Sequence, residues 1–232
     1  MKMIKSKNYA SGDYPANTGL IKLFFKIKHC VGLFRYKTPV FLSSGLVIIK
    51  GTMERKNGNW TIKERRKIFE NDFFKLFEDE VIQPDGKDGK YATICFVRGV
   101  SILPLDDDGF VYLTKQFRYA IERDDLEVVS GAVEDEKPLE AAKREAKEEV
   151  GIEAEEWTDL GKIESDTSIT NSTAFLFLAR RLAFGKPARE GTEQIETVKM
   201  KFDEALDKVL KGEITHGQTV ALILKASHYL SN

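Results

Sequence analysis

Residues 131–152 read GAVEDEKPLEAAKREAKEEVGI and contain the strongest helix signal in the chain. Pro138 suits the first helical turn, because its missing amide hydrogen needs no partner there. Gly151 suits the left-handed conformation that commonly ends a helix. The sequence therefore predicts a helix over 138–150 whose apolar face packs on a sheet. That face consists of Leu139, Ala142, Ala146 and Val150.

Three glutamates lie on another face of this predicted helix. Glu145, Glu148 and Glu149 are spaced by three and four residues, so their carboxylates lie side by side and repel one another unless a cation separates them. Oxygen ligands of this kind suit Mg²⁺ or Mn²⁺. The alternative is a solvated surface on which neighbouring Lys and Arg side chains soften the repulsion, and on spacing alone that alternative is favoured.

Strand patterns flank the helix on both sides. Apolar and β-branched runs bounded by turn residues predict a β-rich unit over 46–98, followed by a mixture of strands and helices. The predicted strands are 46–49, 60–70, 73–83, 91–98, 100–105, 110–117, 126–129, 157–163, 174–179 and 195–202. The further predicted helices are 203–211 and 219–229. Such a mixture predicts an α/β or α+β layered structure.

The bulk composition is that of a globular chain. Of the 232 residues, 42% are hydrophobic and 31% are charged, with a net charge of -1, which fits a protein with a core of its own. The two cysteines, Cys30 and Cys95, are far apart and predict neither a disulfide framework nor a zinc site. Neither a signal peptide nor a run of about 18 apolar residues is apparent, so a cytoplasmic location is expected.

The N-terminal segment has a different character. Residues 1–67 contain 15 Lys and Arg against Asp13, Glu54 and Glu64, so positive charge is concentrated at this end. Within 19–36, apolar residues recur at helical spacing with lysines between them, which predicts a basic amphipathic helix. Its apolar face either packs on the protein, the interpretation we favour, or lies on an anionic membrane surface.

The segment 131–152 resembles the Nudix box of the MutT-like hydrolases. That box runs Gly, five residues, Glu, seven residues, Arg-Glu, an apolar residue, any residue, Glu-Glu, any residue, Gly and an apolar residue. From Glu136 onward the match is complete, through Arg144 to Ile152. Four residues separate Gly131 from Glu136, so the loop before the helix is one residue shorter than in the family's pattern.

The resemblance covers roughly 60–230 and indicates the ADP-ribose pyrophosphatase or nucleoside-diphosphate-sugar hydrolase branch of the family. Outside the box it is carried by the segments 79–81, 84–87, 116–119, 127–131, 191–196 and 212–215. It implies a Nudix α/β/α sandwich with a mixed sheet in 99–232, after a basic extension in 1–45 and a small β-rich unit in 46–98. It also implies a homodimer, since enzymes of this branch commonly pair through the N-terminal β unit.

The resemblance implies a metal site on the box helix. In the family's pattern the matching carboxylates are Glu145, Glu148 and Glu149, and the residue before the box glycine, here Ser130, contributes its backbone carbonyl. The expected cofactor is Mg²⁺ or Mn²⁺, which neutralises the pyrophosphate and lowers the pKa of a bound water.

Four more residues receive roles from the resemblance. Glu136 and Arg144 are expected to pair with each other and to brace the loop. Arg118 and Glu127 are expected to take part in substrate binding, because a planar guanidinium can bind a diphosphate through two parallel hydrogen bonds. The alternative for Arg118 is an ordinary surface arginine at the end of a strand.

The general base is not fixed by the sequence. Many enzymes of the family carry an acidic residue in a loop after the box, but the matching segment 170–172 of this chain has none. Glu164 and Asp166 lie just upstream, and Glu148 or Glu149 can take the same role. These alternatives stay open.

The implied activity is Mg²⁺- or Mn²⁺-dependent hydrolysis of the pyrophosphate bond in ADP-ribose or a nucleotide sugar, which gives a nucleoside monophosphate and a sugar phosphate. Segment 165–168 lacks the proline of the ADP-ribose subgroup, which leaves nucleotide sugars open. The alternative function is a catalytically weak nucleotide-binding or sensor domain. Nucleic acid is not expected as a partner, because the basic segment has few of the interleaved aromatics that RNA binding favours.

Overall fold

The computed structural model describes residues 54–188 and 194–232, so the predicted strand 46–49, helix 19–36 and extension 1–45 lie outside the described residues. The strands are β1 (Arg55–Asn57), β2 (Trp60–Glu70), β3 (Phe74–Ile82), β4 (Asp88–Phe96), β5 (Gly99–Pro104), β6 (Phe110–Arg118), β7 (Arg123–Glu127), β8 (Val129–Ala132), β9 (Ile152–Glu164), β10 (Thr170–Asn171), β11 (Thr173–Phe184) and β12 (Glu196–Lys201). The helices are α1 (Pro138–Val150), α2 (Phe202–Leu210) and α3 (Gly217–Leu230).

The bounds of α1 are those predicted from the sequence. Pro138 occupies the first turn, and Gly151 ends the helix with a φ of 68° while its N–H bonds to the carbonyls of Ala146 and Lys147. The chain that returns from β11 packs against this end, where the Gly185 N–H donates to the Gly151 carbonyl at 2.7 Å. The helix therefore ends at a glycine that is needed both for its conformation and for this close approach.

The N-terminal strands form a sheet of their own. β1 to β4 are successive antiparallel neighbours, and β10 extends the sheet in the order β1-β2-β3-β4-β10. β10 runs parallel to β4 and pairs Thr170 with Ile94. The strands predicted over 60–70 and 73–83 are present as β2 and β3, whereas the boundary of this unit at residue 98 stays a prediction.

A mixed four-stranded sheet lies at the centre of the remaining chain. Its order is β8-β5-β11-β9, with β5 and β11 parallel and the outer pairs antiparallel. α1 packs against β8 and β5, and α3 packs against β5, β9 and β11. The three-stranded sheet β12-β6-β7 contributes to the core on the side of α3. This arrangement confirms the predicted α/β/α sandwich with a mixed sheet.

Alternation along β5 explains how one strand supports both layers. Side chains of successive strand residues point to opposite faces. Val100 and Ile102 join the buried cluster that contains Ala142 of α1, whereas Leu103 joins the cluster that contains Leu222 of α3. Full burial of a Val, Leu or Ile side chain contributes about 1.5–3 kcal/mol, so this strand holds the helices of both faces to the sheet.

The run predicted as one strand over 126–129 is divided between two sheets. β7 ends at Glu127 in the three-stranded sheet, and β8 begins at Val129 in the central sheet. The chain changes sheet at Val128, whose N–H donates to Thr219 Oγ1 of α3 at 3.0 Å. The apolar run indicates burial but not which strand each residue pairs with, so the crossover is invisible in the sequence.

None of the three helices in the described ranges combines the length and the apolar composition that a bilayer span requires.

Replacing Gly151 with Ala should destabilise the fold more than the same replacement at a glycine that has a left-handed backbone but open space around it. An added Cβ would lie 2.6 Å from the Gly185 carbonyl oxygen and 2.9 Å from the Pro187 nitrogen. Gly58, with a φ of 59° and open space around it, is the matched control. In urea denaturation we expect Gly58→Ala to lose about 1 kcal/mol and Gly151→Ala at least twice as much. Equal losses would show that the contact with Gly185 does not constrain the helix end.

Candidate active site

The glutamates of α1 are held against strand β8. Glu149 Oε2 accepts a hydrogen bond from the Ser130 N–H at 3.3 Å. The Glu145 carboxyl lies on the backbone of Gly131, where an added Cβ would overlap it. Gly131 is not in the left-handed region, so the close approach of this side chain, and not a turn, requires the glycine.

Arg144 connects the loop before α1 with two of the glutamates. Its Nε and Nη2 donate to Glu136 Oε1 at 3.0 and 2.9 Å, and Nη2 also donates to the Ala132 carbonyl at 3.0 Å. Its Nη1 donates to Glu145 Oε1 at 2.6 Å and to Glu148 Oε2 at 3.1 Å. Burial opposes the charge, but the hydrogen bonds to Glu136 and Glu145 raise the pKa of Arg144 above its ordinary value. The structure therefore brings the predicted Glu136–Arg144 pair together.

The carboxylate cluster has the chemistry of a divalent-cation site. Within residues 54–188 and 194–232, no group of three or more acidic, His or Cys side chains is arranged to hold a metal ion. Instead, the Arg144 guanidinium bonds to Glu145 and Glu148 and supplies the positive charge that neighbouring carboxylates need. The carboxylate oxygens of these glutamates are nonetheless the donor type that Mg²⁺ and Mn²⁺ prefer.

Arg118 and Glu127 form a paired unit close to this cluster. Arg118 Nε donates to Glu127 Oε1 at 2.8 Å, and its Nη2 donates to Glu127 Oε2. The Glu127 side chain is 6% exposed and that of Arg118 is 38% exposed. Hydrogen bonding to Glu127 raises the pKa of Arg118, and the negative charge of Glu149 adds to this effect. The pair therefore lies within electrostatic reach of α1.

Glu164, one of the two candidate acids that follow the box, lies on the far side of the central sheet from β8. Glu164 accepts hydrogen bonds from Thr173 Oγ1 at 3.0 and 2.9 Å and pairs with Lys162. Its strand, β9, is separated from β8 by two strands, which corresponds to about 14 Å of sheet. Hydrogen bonds from Ser168 lower the pKa of Asp166. The structure does not bring Glu164 to the glutamates of α1.

At the start of α3, His216 lies near Glu127 and Thr219 lies beside His216, and neither residue was predicted. His216 Nδ1 lies 2.9 Å from Thr219 Oγ1 and 3.6 Å from Glu127 Oε2. The spacing of His216 and Thr219 places both on one side of a helix, and this was the one available signal. Their proximity to Glu127 depends on how α3 packs, which the sequence does not show.

A separate cavity of about 300 Å³ lies between the N-terminal sheet and the loop 167–171. Its walls include Trp60, Tyr91 and the ion pair of Arg65 with Asp79. Among the described residues that line it there is no glutamate of α1. A large pocket is the default place to look for a site, but the groups suited to phosphate and metal chemistry lie at α1.

A family model described as NUDIX domain matches residues 96–223, which is more than half of the chain. The chain belongs to the Nudix family. The matched region contains α1, the Arg118–Glu127 pair and the first turn of α3. The resemblance of the box is thus confirmed, although its first loop is one residue short.

Three relatives of this Nudix protein align with it over most of their own length. An ADP-ribose pyrophosphatase of Bacillus subtilis (strain 168) is 28% identical over 162 residues, covering 68% of this chain and 88% of that protein. An ADP-ribose pyrophosphatase of Mycobacterium tuberculosis (strain ATCC 25618 / H37Rv) is 28% identical over 155 residues, covering 65% and 75%. A methanol dehydrogenase activator of Bacillus methanolicus is 25% identical over 166 residues, covering 70% and 89%.

The fold is shared with a solved structure described as an ADP compounds hydrolase. The two structures superpose with a TM-score of 0.68 at 20% identity, covering 76% of this chain and 97% of the other. Taken with the family match and the relatives, the chain is a Nudix pyrophosphohydrolase that hydrolyses nucleoside diphosphate derivatives.

Replacing Gly131 with Ala should lower activity, because the added methyl group displaces the Glu145 carboxyl or separates β8 from α1. Gly99, on neighbouring β5, is the matched control, since its added Cβ would lie 3.4 Å from the Gly131 carbonyl, an ordinary contact. With a nucleoside diphosphate substrate and Mg²⁺, we expect kcat/KM to fall at least about tenfold for Gly131→Ala and little for Gly99→Ala. Wild-type rates in both variants would contradict the importance of the Glu145 position.

Proposed function

We propose that this enzyme hydrolyses the pyrophosphate bond of ADP-ribose or of a nucleotide sugar and releases a nucleoside monophosphate and a sugar phosphate, in a reaction that requires Mg²⁺ or Mn²⁺. The observation that supports this proposal is a guanidinium held by a buried carboxylate beside three helical glutamates. A cation-binding cluster next to a fixed arginine suits a substrate with two adjacent anionic phosphates.

The metal would be held by the carboxylates of Glu145, Glu148 and Glu149 and by the Ser130 carbonyl. A divalent ion supplies charge neutralisation for the pyrophosphate and a lowered pKa for a bound water. The protein keeps the ligands together through two contacts with β8. Glu145 rests on Gly131, and Glu149 accepts the Ser130 N–H.

Arg118 would bind the diphosphate directly. Its bonds to Glu127 use Nε and Nη2, so the edge formed by Nη1 and the second Nη2 hydrogen is directed away from Glu127. That edge can donate two parallel hydrogen bonds to phosphate oxygens. Because Glu127 is buried and already paired, we infer that it serves substrate binding by orienting Arg118.

Glu148 and Glu149 are the favoured proton acceptors. A general base must lie within hydrogen-bond reach of the water that attacks the substrate. The Glu148 side chain is 44% exposed, compared with 13% for Glu145, so a water can reach its carboxylate. Glu164 is less favoured, because about 14 Å of sheet separate its strand from β8.

The relatives support ADP-ribose as one substrate. Two of them are described as ADP-ribose pyrophosphatases. Segment 165–168, SDTS, lacks the proline of that subgroup. A nucleotide sugar is therefore retained as the second candidate.

We further propose that the chain forms a homodimer through the N-terminal sheet, with 46–98 as the pairing unit and 99–232 as the catalytic domain. Exposed apolar side chains are concentrated at one end of that sheet, and an exposed apolar patch often marks a protein interface. These side chains are Phe69, Phe73, Phe96 and Val97. The rings of Phe69 and Phe96 both contact Phe74, with centroid distances of 5.5 and 5.6 Å.

Replacing Glu149 with Gln should reduce kcat by about 10²- to 10⁴-fold, because an essential carboxylate is lost. Glu140→Gln is the matched control, since Glu140 lies on the same helix, is exposed and pairs with Lys143. Steady-state kinetics check the rates, and circular dichroism checks that both variants fold. Near-normal activity of the folded Glu149→Gln variant would show that Glu149 is not needed for the reaction.

Chelation by EDTA should abolish activity, and Mg²⁺ or Mn²⁺ should restore it, because the carboxylate cluster acts through a bound cation. Metal-independent turnover would contradict the proposal.

A panel of ADP-ribose, GDP-mannose, UDP-glucose, NADH, dinucleoside polyphosphates and capped RNA identifies the substrate class, and we expect ADP-ribose or a nucleotide sugar to give the highest kcat/KM. Failure to turn over any of them would favour a nucleotide-binding or sensor domain.

A further inference from the structure

Between Glu127 and Ser130 the chain crosses from the three-stranded sheet to the central sheet. Glu127 ends β7, and Ser130 lies in β8. Val128 between the two strands gives its N–H to the Thr219 hydroxyl at 3.0 Å. Thr219 is fully buried, so its hydroxyl satisfies an amide that would otherwise be left unpaired at the crossover.

His216 lies beside both Thr219 and Glu127. Its Nδ1 is 2.9 Å from Thr219 Oγ1, which also accepts the Val128 N–H. The same Nδ1 lies 3.6 Å from Glu127 Oε2. Glu127 Oε2 therefore accepts a hydrogen bond from Arg118 Nη2 and also has the His216 ring close to it.

The orientation of Glu127 determines the orientation of Arg118. Arginine has a long side chain with about 2 kcal/mol of rotamer entropy, and the two hydrogen bonds to Glu127 fix the plane of its guanidinium. Glu127 is buried, so the groups that pack around its carboxylate set its rotamer. Any loosening at His216 or Thr219 is thereby transmitted to the edge of Arg118 that faces away from Glu127.

We propose that His216, at the N-cap of α3, and Thr219, in its first turn, are positioning residues that act through Glu127 to hold Arg118 in its diphosphate-binding orientation. This inference rests on the proposed function of Arg118. Neither residue needs to touch the substrate for this role.

A nearby hydrogen bond provides the matched control. Ser101 Oγ donates to Gln218 Oε1 at 2.7 Å and anchors the same turn of α3 to β5, without involving Glu127. Ser101 is fully buried, like Thr219. Ser101→Ala therefore removes a comparable side-chain anchor from the same turn and leaves the contacts of Glu127 in place.

The test compares Thr219→Val, His216→Leu and Ser101→Ala in the full-length enzyme. Loss of one hydrogen bond of ordinary strength corresponds to about 3- to 10-fold. We expect Thr219→Val and His216→Leu to raise KM for the diphosphate substrate by that factor with kcat changed less than KM. Thr219→Ser, which keeps the hydroxyl, should have the wild-type KM. His216→Asn, which keeps a polar group near the Nδ1 position, should also have the wild-type KM. Ser101→Ala should lower the midpoint of unfolding and leave KM at the wild-type value.

A second readout does not depend on hydrolysis. The Arg118 Nε–H resonance, assigned by its disappearance in Arg118→Lys, should exchange with solvent faster in Thr219→Val and His216→Leu than in wild type or Ser101→Ala. Unchanged exchange and unchanged KM in both variants would overturn the inference. If wild type hydrolyses no nucleoside diphosphate but Arg118 exchange still accelerates in both variants, the positioning of Arg118 stands and the proposed function fails. His216→Leu gives the answer if Thr219→Val does not fold.

Discussion

The close packing of α1 on β8 is the constraint on which the rest of the site depends. Gly131 has no Cβ, so the Glu145 carboxyl can rest on the strand backbone. Ala141, Ala142 and Ala146 are fully buried and present small side chains to the sheet. Three like-charged glutamates are thereby presented from one helix, and a bound cation would relieve their mutual repulsion. The Arg144 guanidinium donates hydrogen bonds to Glu145 and Glu148 and offsets part of this repulsion.

The crossover at Val128 connects this helix with Arg118. On one side of it, Glu127 orients Arg118; on the other, the Ser130 N–H bonds to Glu149. Only Val128 and Val129 lie between Glu127 and Ser130, and α3 holds this link through the Thr219 hydroxyl. This short connection links Arg118, on β6 of the three-stranded sheet, with the glutamates of α1, the helix that packs on β8 of the central sheet.

The parts of the site that were predictable from sequence are those with local signals. Pro138 and Gly151 mark the ends of α1, and the spacing from Glu136 to Glu149 identifies the box. The crossover at Val128 was not predicted, because strand pairing is non-local and an apolar run does not show which strand it pairs with. The same limit applies to Thr219, which lies 91 residues from Val128 in sequence. The general base stayed open because distances across a sheet, such as that of Glu164, follow from strand order.

Binding of Mn²⁺ to the full-length enzyme tests the central claim, that the glutamates of α1 form a metal site, most directly. Isothermal titration should show binding to wild type, and Glu145→Gln should weaken it at least about tenfold. Glu140→Gln, on the exposed face of the same helix, should bind like wild type. Equal affinity of wild type and folded Glu145→Gln would contradict the account, because the ion would then bind away from the box helix.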